Sequence, residues 1–348
     1  MSRVTIQPSG KSVEVAAGDT VLMALEKAGY ALPNNCRAGA CGECKVKVLA
    51  GEYDQGMVLD MALSSEERCD GFGLMCMAKP TTDELVIEWG TADARPKLFA
   101  PRENALFVVT DKRPVAARAI ELHLRPVGQP IRYWPGQYMT VGDPRGGVPA
   151  RAYSISNAPR PDGELVLQVA RADGGVTSAW VHDQLQVGES IKISGPYGTF
   201  IGDPAVDTPV LCLAAGTGLA PILALTEAAL RRGFRKPVML LLSARTREDA
   251  YAQGLLAWWR TKHRNFDYKI TLTREQADGF LHGRVDAVLP TLLPNLGKHT
   301  VFAAGSPEFT AACVQTAKAL GAGADMIYTE GFFAQQQPTV ADREHLLL

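Results

Sequence analysis

At 348 residues the chain is longer than one hydrophobic core serves, so two or three domains are expected. Apolar residues make up 46% and charged residues 21%, as in ordinary globular proteins. A formal net charge of −1 leaves no basic footprint for nucleic acid, and no apolar run approaches the ~18 residues of a membrane span, so neither is expected as a partner.

The N-terminal MSRVTIQPSGKSVEV alternates like a strand and lacks the apolar centre of a signal peptide, so a cytoplasmic location is expected. Strands are predicted at Val4–Ile6 and Ser12–Val15, then a helix near Thr20–Ala28 with Asp19 as N-cap. A cysteine loop follows, then strands at Lys45–Leu49 and Glu84–Trp89. Residues 1–90 hold 8 Lys/Arg against 13 Asp/Glu, and the remainder 28 against 24. An acidic front module on a mildly basic body hints at docking to a basic partner. "GTADARPKLFAP" reads as a linker over 91–101. From 102 to 203 the pattern is all β, with strands at Ala105–Thr110, Ala117–Leu124, Tyr138–Val141, Ala152–Ser156, Glu164–Ala170 and Ser190–Ser194, and a helix near Ser178–Leu185. From 204 to 348, strands at Val210–Ala214, Pro237–Ser243, Tyr268–Thr273, Thr300–Ala304 and Met326–Thr329 alternate with helices over 219–232, 248–262 and 307–320. That alternation predicts a buried five-stranded parallel sheet.

For the expected cytoplasmic location, seven cysteines point to metal or redox chemistry rather than disulfides. Cys36, Cys41 and Cys44 are spaced C-x4-C-x2-C, and 31 residues intervene before Cys76. This resembles the plant-type [2Fe–2S] ligand arrangement. Four thiolates must converge there, and backbone N–H groups of a tight loop must reach the sulfurs; Gly39 and Gly42 allow it. A structural zinc site in a binding protein is the alternative, although zinc sites usually pair two C-x2-C knuckles and only Cys41/Cys44 has that spacing. Cys212 and Cys313 read as small core residues and Cys69 as a bystander.

"GQYMTV", "RAYSIS", "GGVTSAW" and "GPYG" occur in that order and resemble the barrel of ferredoxin–NADP reductase-type flavoproteins. The resemblance implies that Arg151 pairs with flavin phosphate, Tyr153 stacks on the isoalloxazine and Ser154 hydrogen-bonds near its reactive nitrogen. Gly175, Val176, Thr177 and Ser178 would offer backbone N–H groups and a hydroxyl to the pyrophosphate. "VLCLAAGTGLAP" runs strand, glycine loop, helix, and resembles the same family's nicotinamide-nucleotide loop, with Gly216, Thr217, Gly218 and Pro221. Arg245, Thr273-Arg274 and Arg284 follow sheet strands and fit a 2′-phosphate, so NADPH is expected over NADH. The family's C-G-x-P motif becomes "AAGSPEF": Ala304 replaces its cysteine, while Gly305 and Pro307 remain. "YTEGFF" resembles the terminal acid-then-aromatic segment, which implies that Glu330 and Phe332 approach the flavin; Phe332 or Phe333 as ordinary core is the alternative.

Together these features imply a β-grasp ferredoxin domain (1–90), an antiparallel FAD barrel (102–203) and an α/β NAD(P) domain (204–348). FAD rather than FMN follows from the domain order. The resemblance implies a reductase passing electrons from NADPH through FAD and a [2Fe–2S] cluster, one at a time, to a terminal oxygenase component. A Rieske-type aromatic-ring dioxygenase is the expected acceptor. A di-iron monooxygenase, a deoxysugar dehydrase, a haem protein or a separate ferredoxin are alternatives.

Overall fold

The computed structural model describes residues 2–203 and 206–332. They form two compact units, one from residues 2–24, 34–94 and 332, the other from residues 25–33 and 95–331, with the bound falling within the first helix.

The first unit is a five-stranded sheet. In chain order its elements are β1 (Ser2–Gln7), β2 (Lys11–Val15), α1 (Val21–Lys27), β3 (Lys45–Ala50), β4 (Tyr53–Asp54), α2 (Ser65–Cys69), β5 (Phe72–Leu74), β6 (Lys79–Pro80) and β7 (Glu84–Glu88). The sheet order is β2-β1-β7-β3-β5, with β4 and β6 paired separately. β1 runs parallel to β7 and antiparallel to β2, which gives the expected β-grasp. Period-2 alternation buries Val4, Ile6, Val13, Val15, Leu85 and Ile87 on one face. The helix cap differs from expectation: the Thr20 hydroxyl, not Asp19, accepts the Met23 N–H at 3.3 Å. Helix α2 was not predicted. It stands on a capping box in which Ser64 and Glu67 exchange side-chain-to-backbone hydrogen bonds.

The second unit begins its β-rich part with β8 (Arg102–Ala116), β9 (Ala119–Pro126), β10 (Tyr138–Asp143), β11 (Val148–Ser154), β12 (Leu165–Ala170), α3 (Val176–Asp183) and β13 (Ser190–Tyr197). The antiparallel order is β11-β10-β13-β8-β9-β12, and an Ile155–Leu167 bridge links its two ends. A sheet closed in this way is a barrel. Phe107, Val109, Leu122, Leu124, Met139, Val141, Leu167 and Val169 fill its interior.

The remainder comprises β14 (Val210–Ala215), α4 (Leu219–Arg231), β15 (Val238–Ala244), α5 (Gln253–Lys262), β16 (Phe266–Leu272), β17 (Leu281–His282), α6 (Val285–Leu292), β18 (Thr300–Gly305), α7 (Pro307–Ala319) and β19 (Ile327–Gly331). Its strands are all parallel, in the order β17-β16-β15-β14-β18-β19. A sixth, two-residue edge strand, β17, thus joins the five expected. Along β14, Cys212 and Ala214 face a core shared with α4 and α5, whereas Leu211 and Leu213 face one shared with α6 and α7. Burial on both faces is why the strand reads as a continuous apolar run. Cys212 and Cys313 are core residues, and Cys69 is exposed. Helix α5 starts five residues later than expected from a start at 248, because a separate turn takes up Arg247–Asp249.

Candidate functional site

The glycine-rich loop between α1 and β3 brings the predicted thiols together. Cys36 Sγ accepts backbone N–H bonds from Ala38 at 3.4 Å and from Ala40 and Cys41 at 3.3 Å. Cys44 Sγ accepts the Cys76 N–H at 3.4 Å. The side chains pair two and two: Cys36 with Cys41, and Cys44 with Cys76. Hydrogen bonding by Cys41 and by the loop amides draws the Cys36 thiol down to about 5, and Cys44 draws Cys76 below the usual thiol value. Their donors, Cys41 and Cys44, are pushed up. Gly39 has φ +68°, and a Cβ there would sit 2.9 Å from Val58, so the loop needs glycine at this turn. Among the described residues no three acidic, His or Cys side chains converge on a single ion. Two thiol pairs, each fed by amide N–H groups, are instead the donor set that a two-iron cluster requires.

On the barrel, β11 aligns Arg151, Tyr153 and Ser154 opposite Val141, Met139 and Tyr138 of β10. Tyr153 is half-buried, and burial raises its phenol to about 12. Gly175 caps α3, and the Thr177 hydroxyl donates to the Pro149 carbonyl, so the helix start lies against β11. The Ser178 hydroxyl donates to the Gly175 carbonyl at 3.1 Å. Both hydroxyls are thus spent on protein carbonyls, and what the helix start offers an anion is its backbone N–H groups. Arg151, whose Nη1 also holds the Ala150 carbonyl at 3.0 Å, supplies a guanidinium on that adjoining strand. A guanidinium beside a helix N-terminus fits a diphosphate.

The parallel sheet presents Gly216, Thr217 and Gly218 in a tight turn between β14 and α4. Gly216 has φ +55° and open space where a Cβ would be, whereas a Cβ on Gly218 would lie 2.1 Å from the Ala304 carbonyl oxygen. Pro221 is buried in the first turn of α4. Two buried contacts, one from edge strand β19 and one from Tyr251 beside this turn, tie the sheet to the barrel. The Ser154 hydroxyl donates to Glu330 Oε2 at 3.1 Å, joining residues 176 positions apart. The Tyr251 hydroxyl lies 2.7 Å from Gln168 Oε1 and 3.0 Å from the Gly216 carbonyl. One phenol proton cannot serve both acceptors, and Gln168 Nε2 is buried without a partner. Exchanging the two amide atoms of Gln168 resolves the donor conflict, with Nε2 donating to Tyr251 and Tyr251 donating to Gly216, and leaves Oε1 as the amide atom without a partner. Nothing in the sequence around Tyr251 marks it for this role.

Three family models match in chain order: a 2Fe-2S iron-sulfur cluster binding domain (4–81), an oxidoreductase FAD-binding domain (108–201) and an oxidoreductase NAD-binding domain (212–315). The chain is 32% identical over 321 residues to the phenol 2-monooxygenase reductase component DmpP of Pseudomonas sp. (strain CF600), covering 90% of this chain and 89% of that protein. The toluate 1,2-dioxygenase electron transfer component of Pseudomonas putida is 28% identical, with 92% and 95% covered. The crystal structure of the Amycolatopsis cytochrome P450 reductase GcoB superposes with a TM-score of 0.88 at 29% identity, covering 97% of this chain and 100% of that one. The chain belongs to the ferredoxin–NADP reductase-type flavoproteins with an N-terminal [2Fe–2S] domain. It is an NAD(P)H-dependent oxidoreductase of that family.

In this reductase Ala304 is fully buried in β18 and in register with Glu330 of β19. Gly305 packs against Ala215 and Phe309. Arg245, Arg274 and Arg284 are exposed, and Thr273 is half-buried with its hydroxyl on the Ala244 carbonyl at 3.3 Å. The Arg274 N–H donates to the Arg245 carbonyl at 3.0 Å, so these two follow neighbouring strand ends. Arg284 caps α6. Phe332 is half-buried at the end of the described chain, and Phe333 lies outside the described residues.

Burial pushes Glu330 up to about 8 from an ordinary value of 4.5, with the Ser154 hydrogen bond opposing. The folded reductase therefore keeps this carboxyl protonated where the unfolded chain has already ionised. The associated stability is complete below pH ~4.5 and is lost as pH rises to about 8. Glu330→Gln should accordingly raise the melting temperature at pH 8.5, change it little at pH 5, and flatten the dependence between, as calorimetry across that range would show. Tyr251→Phe removes the hydroxyl that holds the Gly216 carbonyl. Steady-state kinetics should show a roughly 3–10-fold higher KM for the nicotinamide nucleotide, the equivalent of about one hydrogen bond, with kcat less affected.

Proposed function

We propose that this chain is an electron-transfer reductase that draws on NADPH and feeds an oxygenase component. The reading is carried by one observation: a loop of two thiol pairs shares a polypeptide with a nucleotide-type glycine turn clamped to a flavin-type barrel. Bound FAD and a [2Fe–2S] cluster would supply the conversion of two-electron into one-electron transfer. Cys36, Cys41, Cys44 and Cys76 would hold the cluster. Arg151, Tyr153, Ser154 and the amides of Gly175, Val176, Thr177 and Ser178 would hold the flavin. Gly216, Thr217, Gly218, Pro221 and Gly305 would position the nicotinamide nucleotide, with Glu330 and Phe332 near the reacting ring. The family matches to 4–81, 108–201 and 212–315 support domain bounds of 1–90, 102–203 and 204–348 around a linker at 91–101.

For the nucleotide, the positions of Arg245 and Arg274 support a 2′-phosphate, with Thr273 and Arg284 nearby in sequence. Glu275, the acid next to Arg274, is engaged by the Arg247 backbone N–H at 3.0 Å and its Nε at 3.1 Å, and so is less available to a ribose hydroxyl. For the acceptor, an oxygenase component is the reading, with a Rieske-type aromatic-ring dioxygenase first. The 32% identity to a phenol monooxygenase reductase favours a monooxygenase as the second reading. An acceptor screen distinguishes the two. Among the described residues no helix is long and apolar enough to cross a membrane.

Cys76→Ser should abolish the cluster's EPR signal after anaerobic NADPH while leaving NADPH–ferricyanide activity; simultaneous loss of both would contradict the separate roles given to thiols and barrel. Arg274→Ala should raise KM for NADPH at least tenfold more than KM for NADH, and an equal change in both would overturn the NADPH preference.

A further inference from the structure

Between β4 and α2 runs the irregular segment QGMVLDMALS (55–64). It lies against the cysteine loop. The Leu59 N–H donates to the Gly39 carbonyl at 3.0 Å, and Val58 and the Met57 carbonyl are the nearest neighbours of Gly39. Gly39 belongs to the same turn as Ala40 and Cys41, whose N–H groups reach the Cys36 sulfur at 3.3 Å. Ala62 and Leu63 are buried and anchor the far end. The residues between these anchors point the other way: Met57 is 62% exposed, Leu59 51% and Met61 86%. Scattered exposed apolar side chains are normal, but three within five residues, beside the loop that carries the thiols, form a patch that water alone does not favour. Two are methionines, whose unbranched, polarisable side chains adapt to more than one opposing surface.

The net charge around this patch is negative. Residues 36–70 contain seven Asp/Glu and four Lys/Arg, and residues 1–90 carry a net charge of −5 from 13 acids and 8 bases. Two of the four bases are already engaged by acids of the same stretch, Lys45 by Glu67 and Arg68 by Asp60. Asp60 lies between Leu59 and Met61 and is itself 86% exposed. Asp54 and Glu66 are exposed at either end. An apolar centre with an acidic rim matches a partner with an apolar centre and a basic rim: the rim steers encounter, and the centre holds the encounter complex once formed.

We propose that Met57, Leu59 and Met61 form the seat of the protein that takes electrons from the cysteine loop, a basic metalloprotein whose own redox centre opens onto an apolar surface. This rests on the electron-transfer reading above. It goes further by assigning the partner a surface that is neither a ligand to the cluster nor part of the barrel. Electron exchange weakens steeply with distance, so a partner seated here approaches the thiol pairs through the Gly39 contact. The electron balance is simple: the partner gains the single electron that the cluster gives up, and no bond is made or broken.

The test uses the holoprotein with its cluster reduced anaerobically, and follows reoxidation of the cluster absorbance by cytochrome c, a basic haem protein, or by ferricyanide, a small anion. In Met57→Ser/Leu59→Ser/Met61→Ser the second-order rate constant with cytochrome c should fall at least tenfold. Reduction by NADPH and reoxidation by ferricyanide should stay at the parental rate, with the cluster's EPR spectrum unchanged. Met57→Leu/Met61→Leu should keep the parental rate with cytochrome c. Asp60→Asn should lower the rate at low salt and weaken its salt dependence. If the triple variant does not retain its cluster, Met61→Lys decides, since that side chain is the most exposed of the three: it too must slow cytochrome c and spare ferricyanide. An unchanged cytochrome c rate in these variants, or an equal loss with both oxidants, overturns the proposal. A parental cluster that neither NADPH nor NADH reduces overturns the electron-transfer reading itself, and this surface with it.

Discussion

Two buried hydrogen bonds, Ser154 to Glu330 and Tyr251 with Gln168, govern what the barrel and the parallel sheet can do together, and Tyr251 also reaches the Gly216 carbonyl. Each joins a strand of the barrel to the edge of the sheet where its glycine turn lies. Neither partner set is surface chemistry: Ser154, Glu330, Gln168 and Tyr251 are all buried. Buried polar groups are costly unless satisfied, so these contacts fix one mutual arrangement and penalise others. Geometry of that kind is what transfer between two bound groups needs, because misplacement of reacting atoms by about 1 Å is expensive in rate. The close fit of Gly218 against the Ala304 carbonyl adds a steric limit at the same point.

The cysteine loop achieves its order by a different means. Backbone amides do much of the positioning there. Ala38, Ala40 and Cys41 aim their N–H groups at one sulfur, and Gly39 occupies a left-handed conformation in the middle of the turn. Hydrogen bonding by the partner cysteine, and after it by backbone amides, stabilises negative charge on sulfur, which is why one thiol of each pair lies below its ordinary value. The outer wall of the loop is the segment carrying Met57, Leu59 and Met61.

Much of this was legible in the chain. The C-x4-C-x2-C…C spacing, the R-x-Y-S strand and the G-T-G turn are local signatures. Each works through backbone geometry or a few neighbouring residues, and each is reproduced at the positions expected. The five main strands of the parallel sheet read as apolar runs because both faces are covered. Other features left no such trace. Helix α6 contains Pro290 and follows a two-residue strand, so its pattern was too short and broken to read. The α1 cap lies at Thr20, one residue beyond the expected Asp19, and both residue types suit a cap. The hydroxyls of Thr177 and Ser178 looked available to a ligand, yet the fold turns both toward protein carbonyls.

The sequence by itself determined the donor types, the order of the three modules and the class of chemistry, since these depend on residues near one another along the chain. Only the tertiary structure decided how the four thiols divide into pairs, which phenol holds the glycine turn, and that Glu330 is buried against Ser154 across 176 positions. Such contacts join residues remote in sequence. They are set by how sheets and helices pack, and no local pattern of residue types encodes them.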